Sequence, residues 1–156
     1  VLEDQGLVVE PGFAYNISAG PRHIHDETLQ TFTFSVDLGT HDDATMFAMQ
    51  PTIHHNGTLE FQTGKDENGN VHCRVTLQDS GGVSHHGRHE SKSLHLQIVV
   101  SAVNDEPIFD LPCPAVVSVS RTSGMTSLPF AKNISAGPEN EFSQHLSFAW
   151  VRLLGK

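Results

Sequence analysis

Along residues 29–38 apolar and polar positions alternate. Phe32, Phe34, Val36 and Leu38 interleave with Thr31, Thr33, Ser35 and Asp37. A period of two places every second side chain on one face of a strand. Two further runs repeat the pattern, with Val71, Cys73, Val75 and Leu77 in one and Leu94, Leu96, Ile98 and Val100 in the other. Shorter strands are predicted within residues 1–9, which carry two apolar clusters about Glu3-Asp4-Gln5-Gly6, and over 13–18, 45–50 (ending at Pro51) and 58–62. Gly39–Asp43, His54–Gly57, Gly64–Asn70 and Asp79–Gly82 read as turns, and the third is expected to join 58–62 to 71–78 as a hairpin-like pair. No segment shows a 3.6-residue period with helix caps. Short strands broken by turns every ten residues or so predict an all-β sandwich.

One stretch occurs twice. Asn16-Ile17-Ser18-Ala19-Gly20-Pro21 returns as Asn133-Ile134-Ser135-Ala136-Gly137-Pro138. Phe13-Ala14 and Phe130-Ala131 precede the copies at the same offset, and a Gln-led alternating run follows each, from Gln30 and from Gln144. A match of this length at fixed spacing marks a tandem array. One repeat is expected over 1–106 and the N-terminal part of a second over 107–156, with Asn104-Asp105-Glu106-Pro107 as the junction. Residues 108–111 and 115–119 read as the opening strands of the second repeat and 144–153 as a later one. There Trp150 matches Val36, which predicts a core position.

At 37% hydrophobic and 17% charged, the chain can build a modest core. A formal charge of −9 argues against a nucleic-acid partner and is compatible with cation binding or simple surface solubility. No apolar run approaches the ~18 residues of a membrane span. Asn16, Asn56 and Asn133 head glycosylation sequons, in competition with a reading as bare strand or turn residues. Cys73 is expected to face the core as a free thiol. Cys113, between two prolines, is expected to be free or paired outside this sequence rather than bridged to Cys73 across the repeat boundary.

These motifs resemble the cadherin-like repeats of large extracellular and cell-surface proteins. The residues that carry the likeness are Glu3–Gly6, Asn16–Pro21, Gln30–Val36, Leu77–Gly82 and the closing Val103-Asn104-Asp105-Glu106-Pro107-Ile108-Phe109. The resemblance implies Greek-key immunoglobulin/cadherin-like β-sandwiches in tandem, with a structural or adhesive role and neighbouring repeats as partners. It also implies Ca²⁺ at the linker, held by Asp79, Asn104 and Asp105, then Glu3 and Asp4, with Asp26 or Glu27 as outsiders. Calcium takes six to eight oxygen ligands, and a sandwich can gather such residues at one pole. The competing reading makes Asp79 a turn residue and Asn104-Asp105 a backbone cap. Ser120-Arg121 stands in the second repeat where the first has Glu3-Asp4, placing a cation where a carboxylate might ligate.

Eleven histidines cluster at 23/25, 54/55 and 85/86/89. His85-His86-x-x-His89 has metal-compatible spacing but sits among Gly and Ser, which favours a polar loop. Protonating all eleven would carry the charge from −9 to about +2, so self-association could depend on pH. No nucleophile elbow, phosphate loop or zinc-protease motif is present, so an enzyme is not expected. His72 and Cys73, adjacent on a strand, would face opposite ways. A carbohydrate-binding module, with Tyr15 as an exposed ring, and a self-assembling filament or sheath subunit completed by a neighbour's strand are the alternative functions on this scaffold.

Overall fold

The computed structural model describes residues 1–20, 30–39, 41–81, 88–122 and 124–151. It is built mostly of β-strands in antiparallel sheets, with little helix. The chain divides into two compact units, Val1–Val103 and Asn104–Lys156.

In the first unit, β1 (Leu7–Glu10), β4 (Leu59–Thr63) and β3 (Phe47–Ile53) form one sheet in the order β1-β4-β3. The second sheet, in the order β2-β5-β6, comprises β2 (Phe32–Asp37), β5 (Gly69–Asp79) and β6 (Leu94–Val100). A one-turn helix, α1 (His41–Thr45), occupies part of the predicted Gly39–Asp43 turn and links β2 to β3. Val8, Phe47, Ile53, Leu59 and Phe61 from one sheet and Val71, Cys73, Ile98 and Val100 from the other share a single buried core. Phe47 meets Phe61 edge-on at 5.8 Å.

The alternation seen in the sequence is what builds this core. On β5, Val71 and Cys73 are buried while His72 and Arg74 are exposed, so His72 and Cys73 form no dyad. Cys73 is a free thiol whose pKa is raised, first by burial and then by the negative charges of Asp43 and Asp37. On the outer face Arg74 lies directly opposite Asp37 and donates to its Oδ2 at 2.7 Å. The Gly39 backbone N–H donates to Asp37 Oδ1, and these two bonds hold the Asp37 carboxyl below its ordinary pKa.

Several expectations are corrected. β4 and β5 are not a hairpin, because β1 and β3 already occupy both edges of β4, and the 64–68 link carries the chain across to the other sheet. Pro51 does not end β3; it is accommodated where the register shifts between Met49 and Thr52 on an edge strand, so no ladder bond is required of it. Residues 13–18 form no strand. Instead the Ala14 N–H bonds the Gly57 carbonyl at 2.9 Å.

In the second unit β7 (Ile108–Asp110) pairs with β8 (Lys132–Ser135), and a single 3-10 turn spans Glu139–Glu141. Residues 115–119 and 144–151 are not strands. Trp150 is 87% exposed rather than in a core, because among the described residues no strand covers it.

Candidate functional site

The two copies of the repeated motif share two local features among the described residues, although only the second copy lies partly in a strand, β8. Asn16 and Asn133 both take left-handed conformations, at φ +54° and +50°. This is a region that asparagine tolerates better than most residues. Two residues on, Ser18 Oγ donates to the Gly20 carbonyl at 2.8 Å and accepts from the Gly20 N–H at 3.3 Å. Ser135 makes the same two bonds with Gly137, at 2.9 and 3.3 Å. The 3-10 turn begins just after the second copy; the counterpart residues 21–29 lie outside the described residues.

At one end of the first unit, the chain start is laced to its last strand. The Glu3 N–H bonds Ser101 O at 3.0 Å and the Ser101 N–H bonds Val1 O at 2.9 Å. The Glu3 side chain is only 2% exposed. Its Oε1 accepts from the Val103 N–H at 2.6 Å and its Oε2 from Asn68 Nδ2 at 2.8 Å. Beside it Asp4, in a left-handed turn, accepts from the Asp66 N–H at 3.2 Å. Asp66 Oδ2 pairs with Lys65 at 3.3 Å, while its Oδ1 is buried with no hydrogen-bond partner among the described residues.

The second unit opens on its own oxygen-rich cluster. Gln144 Nε2 donates to Asn104 Oδ1 at 2.9 Å, and Asn104 Nδ2 donates to the Asp105 carbonyl. The Asp105 N–H donates to Glu141 Oε1 at 2.9 Å. Glu141, at the end of the 3-10 turn, is 4% exposed, and its Oε2 is buried without a hydrogen-bond partner among the described residues. Gly137 (φ +152°) makes room for that carboxylate, since a Cβ there would strike Glu141 Oε2. Such an array of carboxylate and amide oxygens has the donor chemistry of a hard cation such as Ca²⁺.

Of the five predicted ligands, Glu3 and Asp4 are neighbours at one end of the first unit, and Asn104 and Asp105 begin the second. Asp79 does not join Glu3 and Asp4. It ends β5, whose other end adjoins Asn68, and an 11-residue strand puts about 33 Å between its ends. The expected gathering at one pole therefore fails for Asp79. Its Oδ1 accepts from the Gly81 N–H at 2.8 Å, the bond of an Asx turn. Asp26 and Glu27 lie outside the described residues, as do His23, His25, His85 and His86. His54 Nε2 contacts Glu60 Oε2 at 2.6 Å.

Glu141, Asp66 and Asn68 escaped the sequence reading. The segment holding Asp66 and Asn68 was legible only as a turn, and the rarity of buried Glu argues against anticipating Glu141. All three sequon asparagines are exposed. Asn56 Oδ1 accepts from the Thr58 N–H at 3.0 Å, and Asn133 Nδ2 donates to Asp110 Oδ2 at 2.6 Å. Tyr15 is exposed, as expected, but so are Phe142 and Trp150. No protein-family description, curated protein or solved structure matches this chain.

Proposed function

We propose that the chain is a structural and adhesive module of a large extracellular or cell-surface protein, made of one full and one partial cadherin-like repeat of Greek-key sandwich type. Neighbouring repeats are its partners, and its exposed sequon asparagines are sites for glycans. Its role is mechanical: it transmits load and sets spacing, with the segment after Val103 stiffened by Ca²⁺. The observation that carries this reading is the recurrence of a left-handed Asn and a Ser-bonded Gly at the same places of the repeated motif in two successive units.

The calcium part rests on donor chemistry. Glu141 Oε2 is a buried carboxylate oxygen with no hydrogen-bond partner among the described residues, and the neighbouring side chains of Asn104, Asp105 and Gln144 all offer oxygen. Asp105, Asn104 and Glu141 would hold the ion. Glu3 serves as a structural tie, both of its oxygens being engaged. Asp79 is left out. Bound Ca²⁺ would neutralise the carboxylates and fix the backbone that carries them.

The test is a thermal melt with small-angle scattering, in CaCl₂ and in excess EGTA. At a hundredfold excess over its Kd, Ca²⁺ should stabilise the protein by about 2.7 kcal/mol. Glu141→Gln should remove most of that gain. A melt and a scattering profile that EGTA leaves unchanged would refute the calcium reading.

A further inference from the structure

Two asparagines of the first unit are each followed by glycine, Asn56 by Gly57 and Asn68 by Gly69. Asn-Gly is the pair most open to spontaneous deamidation, because no Cβ on the second residue hinders its nitrogen from reaching the asparagine side-chain carbon. Asn68 lies in the link between β4 and β5, outside any strand or helix, and Gly69 opens β5. What sets Asn68 apart is its partner. Its Nδ2 donates to Oε2 of the buried Glu3, whose Oε1 takes the Val103 N–H. The same segment is laced to the end of β6, with Leu2 bridged to Ser101 and the Glu3 N–H on the Ser101 carbonyl. Asn56 differs on both counts. Its Oδ1 accepts from the Thr58 N–H, a role that a carboxylate oxygen fills equally well, and the Gly57 N–H is engaged by the His54 carbonyl at 2.8 Å.

We propose that Asn68 is a site of spontaneous deamidation and that its product releases Glu3, and with it the 1–4 segment, from the start of β5 and from Val103. The Gly69 nitrogen attacks Asn68 Cγ. The new N–Cγ bond forms as the Cγ–Nδ2 bond breaks, and the proton lost by the Gly69 nitrogen leaves on ammonia. Water then opens the succinimide at one carbonyl or the other, giving aspartate or isoaspartate. Aspartate puts a carboxylate where the amide donor stood, and isoaspartate also adds a methylene to the main chain at the entry to β5. Two carboxylates cannot both stay charged and in contact in a site closed to water, so the Glu3 side chain must leave, and the Val103 bond goes with it. The reaction runs one way, so the tie is a latch that does not close again once it has reacted. The inference rests on residues of the first unit alone, and neither on the repeat nor on calcium.

The intact folded chain should be aged in mildly alkaline buffer and mapped by peptide mass spectrometry. The expected result is conversion at Asn68 and none at Asn70, which precedes the branched Val71 inside β5. Asn68 left intact in the folded chain, while a urea-unfolded sample converts, would overturn the site. Asn68→Asp stands in for the aspartate product. It should speed hydrogen exchange of the Glu3, Ser101 and Val103 amides by about tenfold to a hundredfold, and Asn56→Asp should leave them as in wild type. Adding Glu3→Gln to Asn68→Asp should restore slow exchange, because glutamine donates to the new carboxylate and still accepts from the Val103 N–H. Where the single variant is too unstable to measure, the double variant decides, and it should fold and exchange like wild type. Unchanged exchange in Asn68→Asp, or a double variant that does not recover, would overturn the release.

Discussion

Gly57 and Gly12 allow two physical effects to be separated by one substitution made twice. Both residues are left-handed, at φ +83° and +70°, so alanine meets similar backbone strain at each. Around Gly12 nothing lies within 4 Å of where a Cβ would go. At Gly57 a Cβ would strike the Ala14 carbonyl oxygen and lie 3.3 Å from Ile17 Cδ1. That carbonyl cannot simply swing away, because the Ala14 N–H is bonded to Gly57 O and holds the segment against the turn. Left-handed strain costs about 1–2 kcal/mol, partly offset by about 0.4–1 kcal/mol from the stiffer unfolded chain. Gly12→Ala should therefore destabilise by about 1 kcal/mol. Gly57→Ala adds about 1–3 kcal/mol of overpacking, giving a total near 3 kcal/mol.

At about 4–8 °C per kcal/mol for a unit of this size, Gly12→Ala should lower Tm by about 4–8 °C and Gly57→Ala by about 12–24 °C. Far-UV circular dichroism measures the melts, and hydrogen exchange of the β5 amides assigns the loss to the first unit. Equal losses in the two variants would show that the chain does not pass over Gly57 as described.

Two further outcomes follow from side chains at the surface. The Gly39 N–H and the Arg74 guanidinium depress the Asp37 pKa, so their contribution to stability is present at neutral pH and lost as pH falls through the lowered folded value. The Tm gap between wild type and Asp37→Asn should thus be constant near neutrality and close below about pH 4; a gap that persists to pH 2 would exclude the linkage. In a secretory eukaryotic host, intact-mass and peptide mapping should find Asn56 more fully glycosylated than Asn133, whose amide nitrogen is held by Asp110. Asp110→Ala should raise occupancy at Asn133, and an unchanged site would show that this bond does not limit access.

The parts of the fold legible in the sequence were those that depend on one face of one strand. Phe34 and Val36 on β2, Val71 and Cys73 on β5, and Ile98 and Val100 on β6 turned inward as their alternation required, because a period of two fixes which side chains share a face. Partners were another matter. Alternation says nothing about which edge a strand joins, so β4 and β5 looked like a hairpin until β1 and β3 were seen to fill both edges of β4. Trp150 failed for a related reason: matching it to Val36 predicted a core position, but burial needs a neighbour, and pattern does not supply one. The repeat itself was legible because identical residues meet the same local demands, seen in the shared left-handed Asn and Ser-bonded Gly. The polar ends were legible only as composition. Whether a carboxylate is satisfied depends on backbone groups far away in sequence, such as Val103 for Glu3 and Asp105 for Glu141.

That distinction separates two buried glutamates that otherwise look alike. A carboxylate removed from water needs hydrogen bonds to remain charged at tolerable cost. Glu3 has short bonds on both oxygens, and they tie the exit of the last strand to the start of β5, so its burial is explained by structure alone. Glu141 has one such bond, and its other oxygen has no hydrogen-bond partner among the described residues. Gly137, whose missing side chain leaves room for that oxygen, belongs to the hexapeptide that defines the repeat. The two differ in what is satisfied: Glu3 has both oxygens bonded, and Glu141 has one bond, from the Asp105 N–H. In the proposed reading a bound cation would supply the missing partner, and Glu141→Gln, not substitution of Glu3, therefore separates a calcium-stiffened linker from one held only by its own hydrogen bonds.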